Sequence, residues 1–148
     1  MEEIDFCWRA KNFGHKIMYT PHGRAWHLGG GTLPKTSSRK TFLNARNSLA
    51  TLLKNFPTSQ VGYKFFLRLV LDGVWAARAL VQGDFSTIGA ILKAHWSIFL
   101  SFGYWIKARR KLYGKLDHIP RQHTGYYSRS IVWQHFAKGV KKFGDLKK

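Results

Sequence analysis

Of 148 residues, 25 are Lys or Arg and 7 are Asp or Glu, a formal charge of +18, and 45% are hydrophobic. That length suits one domain, and that apolar content is too high for charge-driven disorder. The single Cys7 excludes an internal disulfide framework or a thiolate zinc site, MEEID lacks the basic and apolar regions of a secretory signal, and no run of 18 uncharged apolar residues marks a transmembrane helix.

The acids are unevenly placed. Glu2, Glu3 and Asp5 sit in the first five residues, and the other 143 carry 25 basic and 4 acidic groups, a net of +21. Such a surface suits an anionic counterpart: nucleic acid, acidic lipid or a phosphorylated substrate.

Residues 2–13 read as a short helix, with the three acids in the first turn, where the helix dipole favours them. Asp5 and Arg9 stand at i,i+4 spacing, and Gly14 is a good residue to follow the helix. Two apolar rows, Phe6/Ala10/Phe13 and Ile4/Cys7/Trp8, predict burial within a larger body. His15–Tyr19 and Arg24–Leu28 read as short strands, stopped by Pro21 and by Gly29, Gly30 and Gly31. LPKTSS is a polar linker whose last residue, Ser38, is the expected N-cap of a helix from Arg39 to Pro57. In that helix Phe42, Ala45, Leu49, Leu52, Leu53 and Phe56 recur at helical steps, and Lys40, Asn44, Asn47, Thr51 and Lys54 form the polar side.

Val61–Gln82 reads as a second apolar helix, with Lys64, Arg68 and Asp72 at i,i+4 spacing on one face. Phe85–Ile106, with Lys93 its one charge, reads as a third, followed at once by Lys107, Arg109, Arg110 and Lys111. Residues 114–125 read as loop and Tyr126–Phe143 as a last helix with a basic tail. No internal repeat is present.

Three ordered segments carry a resemblance: MEEIDFCWRAKNFGHKIMYTP, then RAWHLGGGT, then RKTFLNARNSLATLLKNFP. Together they resemble the C-terminal portion of bacterial family 2 glycosyltransferases, closest to the membrane-associated kind that builds surface polysaccharides. The likeness covers residues 1 to about 57, and continues loosely to about 113. That family has an acidic pair, a further acid and an arginine beside the sugar acceptor, and Glu2, Glu3, Asp5 and Arg9 (with Trp8) match that motif. The resemblance implies an inverting transfer in which Glu3 takes the acceptor hydroxyl proton as that oxygen attacks the anomeric carbon. Glu2 and Asp5 would then orient the acceptor or hold Arg9. The family more often has Asp at the position of Glu3. The alternative reading of the three acids is a helix start satisfying its dipole.

His27, before Gly29, Gly30 and Gly31, matches a histidine that in some enzymes of the GT-A fold completes a metal site begun by an Asp-x-Asp motif. Mn²⁺ or Mg²⁺ there neutralises the leaving nucleoside diphosphate. The alternative is a strand-end histidine bonded to backbone. No Asp-x-Asp and no Gly-rich phosphate loop occur in these 148 residues. The expectation is therefore a C-terminal fragment that does not bind a nucleotide sugar by itself.

The helical part invites a membrane surface. Lys64, Arg68, Asp72 and Arg78 are costly at bilayer mid-depth, whereas Trp75, Trp96, Tyr104 and Trp105 suit the interface and Lys107, Arg109, Arg110 and Lys111 suit anionic headgroups. A soluble helical hairpin with a solvated charged face is the alternative. A nucleic-acid binder is the rival from another class, but no helix-turn-helix, zinc-finger or RNP signature occurs. A non-catalytic membrane-surface partner is a third reading.

The expected architecture is thus an α/β C-terminal remnant of a GT-A domain (1–33), a linker (34–38), a mainly α-helical, membrane-associated region (39–113) and a basic tail (114–148). The expected activity is sugar transfer from a nucleotide-sugar donor to a lipid-linked or polysaccharide acceptor, at the cytoplasmic face of a bacterial inner membrane.

Overall fold

The computed structural model describes residues 1–26, 37–114, 116, 127 and 129–146. Every regular element among them is helical: α1 (Glu2–Asn12), α2 (Ser38–Asn55), α3 (Thr58–Val81), α4 (Phe85–Leu100), α5 (Phe102–Tyr113) and α6 (Ile131–Phe136), then a 3₁₀ turn at Phe143–Asp145.

The α/β expectation is therefore corrected. The described residues hold no strand, no sheet and no α/β remnant of a GT-A domain. Residues 15–20 and 23–26 carry no regular structure, although His15–Tyr19 and Arg24–Leu28 read as strands. A strand exists by pairing its backbone and burying one face. Here Met18, Tyr19 and Trp26 stand more than four-fifths exposed, so the segment gains neither. Residues 27 and 28 lie outside the described set.

α1 ends where Gly14 takes φ 84°, with the Gly14 N–H donating to the Lys11 carbonyl and the His15 N–H to that of Ala10. Its two apolar rows are not both buried, contrary to expectation. Ile4 and Phe6 face solvent, while Trp8 packs edge-on against Phe56 with ring centroids 4.7 Å apart. The helix docks mainly on α2, and its C-terminal end meets Tyr113 of α5.

α2 starts one residue earlier than its sequence suggests. Ser37 is the N-cap, without a side-chain cap bond, and Ser38 is the first helical residue. Pro57 follows its C-terminus and in turn opens α3, which begins at Thr58 rather than Val61. α2 forms its largest interface with α4. Ala45 and Leu49 of α2 and Ala90, Ile91 and Ala94 of α4 are buried, and the alanines let the two backbones approach closely. Leu49, Ala50, Leu53 and Ile98 form the core, with Val61, Phe65, Leu69 and Trp105 packed on it.

α3 and α4 are joined by a turn at Gly83, φ 69°, and the Asp84 carboxylate caps α4 by accepting from the Thr87 N–H at 2.9 Å. The apolar run after Asp84 is not one helix to Ile106. It breaks at Ser101 and bends by 61°. Ser101 causes a local competition: its hydroxyl donates to the Ser97 carbonyl at 2.6 Å and accepts from Trp105 Nε1 at 3.0 Å.

The last helix is also shorter than expected. Ser130 caps α6 by accepting from the Trp133 N–H, and the helix ends after six residues, before Gly139 at φ 67°. The Lys-rich sequence beyond offers no apolar stripe to bury. Val132, Trp133 and Phe136 face Leu67, Val70 and Leu71 of α3 across a gap of about 380 Å³.

Candidate functional site: a carboxylate cleft beside a polar clasp

The three acids that open the chain lie within one turn of each other but meet different surroundings. The Asp5 side chain is 16% exposed and is held from three sides. Arg9 Nε donates to Oδ2 at 3.0 Å, Lys54 Nζ to the same oxygen at 2.8 Å, and Asn55 Nδ2 to Oδ1 at 2.8 Å. Burial pushes its carboxyl up, but the bonds from Lys54 and Asn55 and the charges of Lys54 and Arg9 outweigh burial and hold it below the usual range.

Asn55 extends this knot. Tyr113 donates its hydroxyl proton to Asn55 Oδ1 at 2.8 Å, and Asn12 Nδ2 donates to the Asn55 carbonyl at 3.1 Å and to the Tyr113 oxygen at 3.3 Å. Burial raises the Tyr113 phenol, the nearby Asp5 charge adds to that, and the Asn12 bond opposes it. Phe13 stacks on Tyr113 at 5.5 Å. α1, α2 and α5 are thereby joined by bonds between residues 43 to 101 positions apart.

Arg109 belongs to the same clasp. It was expected to face a membrane, but its guanidinium turns inward to the end of α2, donating to the carbonyls of Leu53 at 2.9 Å and Lys54 at 3.2 Å and to the Thr58 hydroxyl at 3.2 Å. A cation there satisfies carbonyls that a helix leaves without partners. Burial lowers its pKa.

Glu2 and Glu3 lie outside the knot. Their side chains are 86% and 68% exposed and accept from the N-terminal ammonium at 3.0 and 3.2 Å. The Glu3 backbone N–H and that ammonium lower the Glu3 carboxyl, while Glu2 raises it. Glu3 is therefore ionised at neutral pH and able to accept a proton, though as a weaker base than a free carboxylate. Beside Glu2 opens a cleft of about 170 Å³, lined by Met1, Glu2, Asp5, Asn47, Ala50, Thr51, Lys54 and Trp105. The cleft combines two acids, an amide, a cation and an indole.

Of the other expected site residues, Trp8 is packed on Phe56 and Arg9 on Asp5. His27, Gly29, Gly30 and Gly31 lie outside the described residues. Trp105 lines the cleft and packs on the core instead of standing on an outer surface. Trp96, Lys107, Arg110 and Lys111 are exposed. Lys54, Asn55, Asn12 and Tyr113 were not singled out as site residues by sequence. Lys54 and Asn55 directly preceding Phe56 and Pro57 mark a helix end, but nothing in the sequence shows that Asp5 meets it.

The described residues do not fit a divalent metal. No group of three His, Cys, Asp or Glu is near enough to hold one, and Asp5, the one buried acid here, already faces two cations. The metal expected from the resemblance has no site among them. Comparison of the chain with protein-family models, with curated proteins and with solved structures returned no match.

Proposed function

We propose that this chain supplies the acceptor-side carboxylates of a bacterial sugar transferase. The observation that carries the reading is the division of labour inside EEID: Asp5 is immobilised by Arg9, Lys54 and Asn55, while the Glu2 and Glu3 side chains are exposed, Glu2 lining a cleft and Glu3 next to it in sequence. A general base must reach its proton, so an exposed carboxylate on a rigid helix suits the task, and Asp5 acts by holding that helix in place.

In such a transfer the acceptor oxygen attacks the anomeric carbon, the bond to the nucleoside diphosphate breaks, and Glu3 takes the hydroxyl proton. Glu2 lies one residue away to hydrogen-bond the sugar, and Trp105 offers an apolar face to the C–H side of a pyranose. No described residue is assigned to a nucleotide-sugar donor or to a metal. The likeness in sequence to family 2 glycosyltransferases supports this reading together with the cleft.

The test is ligand binding to the chain itself. Methyl glycosides should show saturation-transfer NMR contacts that Trp105→Ala removes, and calorimetry should give UDP- and dTDP-sugars no affinity tighter than millimolar. Micromolar donor affinity, or glycosides without any contact, overturns the reading.

A further inference from the structure

We propose that the outer faces of α3 and α4 form a docking surface for an anionic lipid bilayer, lying in its headgroup region without spanning it. The proposal is independent of the sugar-transfer reading.

α3 turns Val61, Phe65, Leu69 and Asp72 inward. On its opposite side Tyr63, Phe66, Val74 and Val81 recur at helical spacing, and all are exposed, while Val70 among them faces α6. α4 repeats the arrangement: Ala90, Ala94 and Ile98 are buried, and Phe85, Leu92, Trp96 and Phe99 project the other way. One polar group of the hairpin is inside it, while Arg78 and Lys93 are exposed. Asp72, 1% exposed, accepts from Arg68 Nη2 at 2.7 Å and lies 3.0 Å from His95 Nε2, tying α3 to α4. Tyr63, Phe66, Phe85, Trp96 and Phe99 are each more than half exposed, which leaves about 600 Å² of ring surface, at the upper end of the largest apolar patch a monomer ordinarily shows to water.

Charge identifies what covers it. A formal +18 on every chain opposes burial of this face against a second copy and favours an acidic surface. Arg78 and Lys93 border the apolar faces, and α5 continues past the bend with Lys107, Arg110 and Lys111 exposed. These are the groups that attract anionic headgroups, while Tyr63 and Trp96 have the amphipathic rings of an interfacial belt.

Depth follows from the helices. Among the described residues no single helix is long and apolar enough to cross a membrane, and the α4–α5 pair that passes together is bent by 61°. The 16 residues of α4 reach about 24 Å, short of a hydrocarbon core of about 30 Å. Lys93 on its exposed side also holds the helix near the surface.

The test is sedimentation of the full chain with vesicles of phosphatidylcholine alone or with about one-third phosphatidylglycerol. The expected result is at least about tenfold tighter binding to the anionic vesicles. Lys107→Gln, Arg110→Gln and Lys111→Gln should each weaken it by up to roughly fivefold. Phe66→Asp with Trp96→Asp should reduce it at least about tenfold with the circular dichroism unchanged. Should that double variant not fold, tryptophan fluorescence of the wild type must be quenched by lipids brominated on their acyl chains. Binding that survives the Asp substitutions in a folded protein, absence of quenching, a dimer that Trp96→Asp dissociates and that ignores vesicles, or steeply salt-dependent RNA binding without vesicle binding would each overturn the proposal.

Discussion

Where α1 meets α2 and α5, polar groups from the three helices close on one another: Asp5, Asn12, Lys54, Asn55 and Tyr113. In the α3–α4 hairpin the buried polar group is a compact one, Arg68–Asp72–His95, and the larger feature is the periodic apolar face outside it. The exposed Ile4 and Phe6 beside the clasp are scattered and need no occupant, as single apolar side chains on a surface are ordinary. Phe85, Leu92, Trp96 and Phe99 lie along one face, and that pattern does. Exposure thus carries meaning through its spacing more than through its amount.

The largest expected effect separates these regions. Asp72→Ala leaves Arg68 and His95 facing a buried vacancy and should cost about 3–5 kcal/mol in urea unfolding, enough to detach α4 from α3. A cost under about 1 kcal/mol would show that the hairpin is held by apolar packing alone. Asp5→Ala should follow at about 2 kcal/mol, since it removes bonds to charged donors that stay partly solvated.

Asp5 also predicts a pH dependence. Its folded carboxyl lies below its ordinary value of 3.8, so the stability it supplies is complete above that value and is lost as pH falls through the lower folded one. Wild-type stability should therefore fall from about pH 4 downward more steeply than that of Asp5→Asn. Parallel acid limbs for the two proteins would remove Asp5 from the clasp's energetics.

Tyr113→Phe, which deletes one hydroxyl between Asn12 and Asn55, should cost about 1 kcal/mol by chemical denaturation. The smallest effect belongs to the hairpin's exterior. Trp96→Asp should change stability in water by no more than about 0.5 kcal/mol, because a side chain 67% exposed contributes little packing. A large loss there would mean that the outer face is packed against the rest of the chain.

Much of the helical part was readable because a helix is specified locally. Phe42, Ala45, Leu49, Leu52 and Leu53 marked α2 by their spacing, and Pro57 marked its end. Local signals also misled. Ser38 looked like the cap that Ser37 provides, and the break at Ser101 was hidden in an unbroken apolar run because a serine's hydroxyl selects its acceptor only once the helix exists. The strands at 15–19 and 24–28 were read from composition, but β-structure is decided by a partner, and among the described residues there is none.

The site divides in the same way. That EEID begins a helix and that Asp5 stands one turn from Arg9 followed from sequence. That Asp5 is clamped by Lys54 and Asn55, that Arg109 turns inward to the end of α2 while Lys107, Arg110 and Lys111 stay outside, and that Trp105 joins the acidic cleft are outcomes of packing between segments some 50 to 100 residues apart.

By itself the sequence determined the excess of positive charge, the apolar character of α3 and α4, and the position of three acids in one helical turn. Only the tertiary structure decided which acid is held by Lys54 and Asn55 and which are exposed, and which side of each apolar helix the core leaves uncovered. The reason is physical. Charge and periodicity belong to residues and their near neighbours, whereas burial and hydrogen-bond partnership belong to surfaces that chain folding brings together.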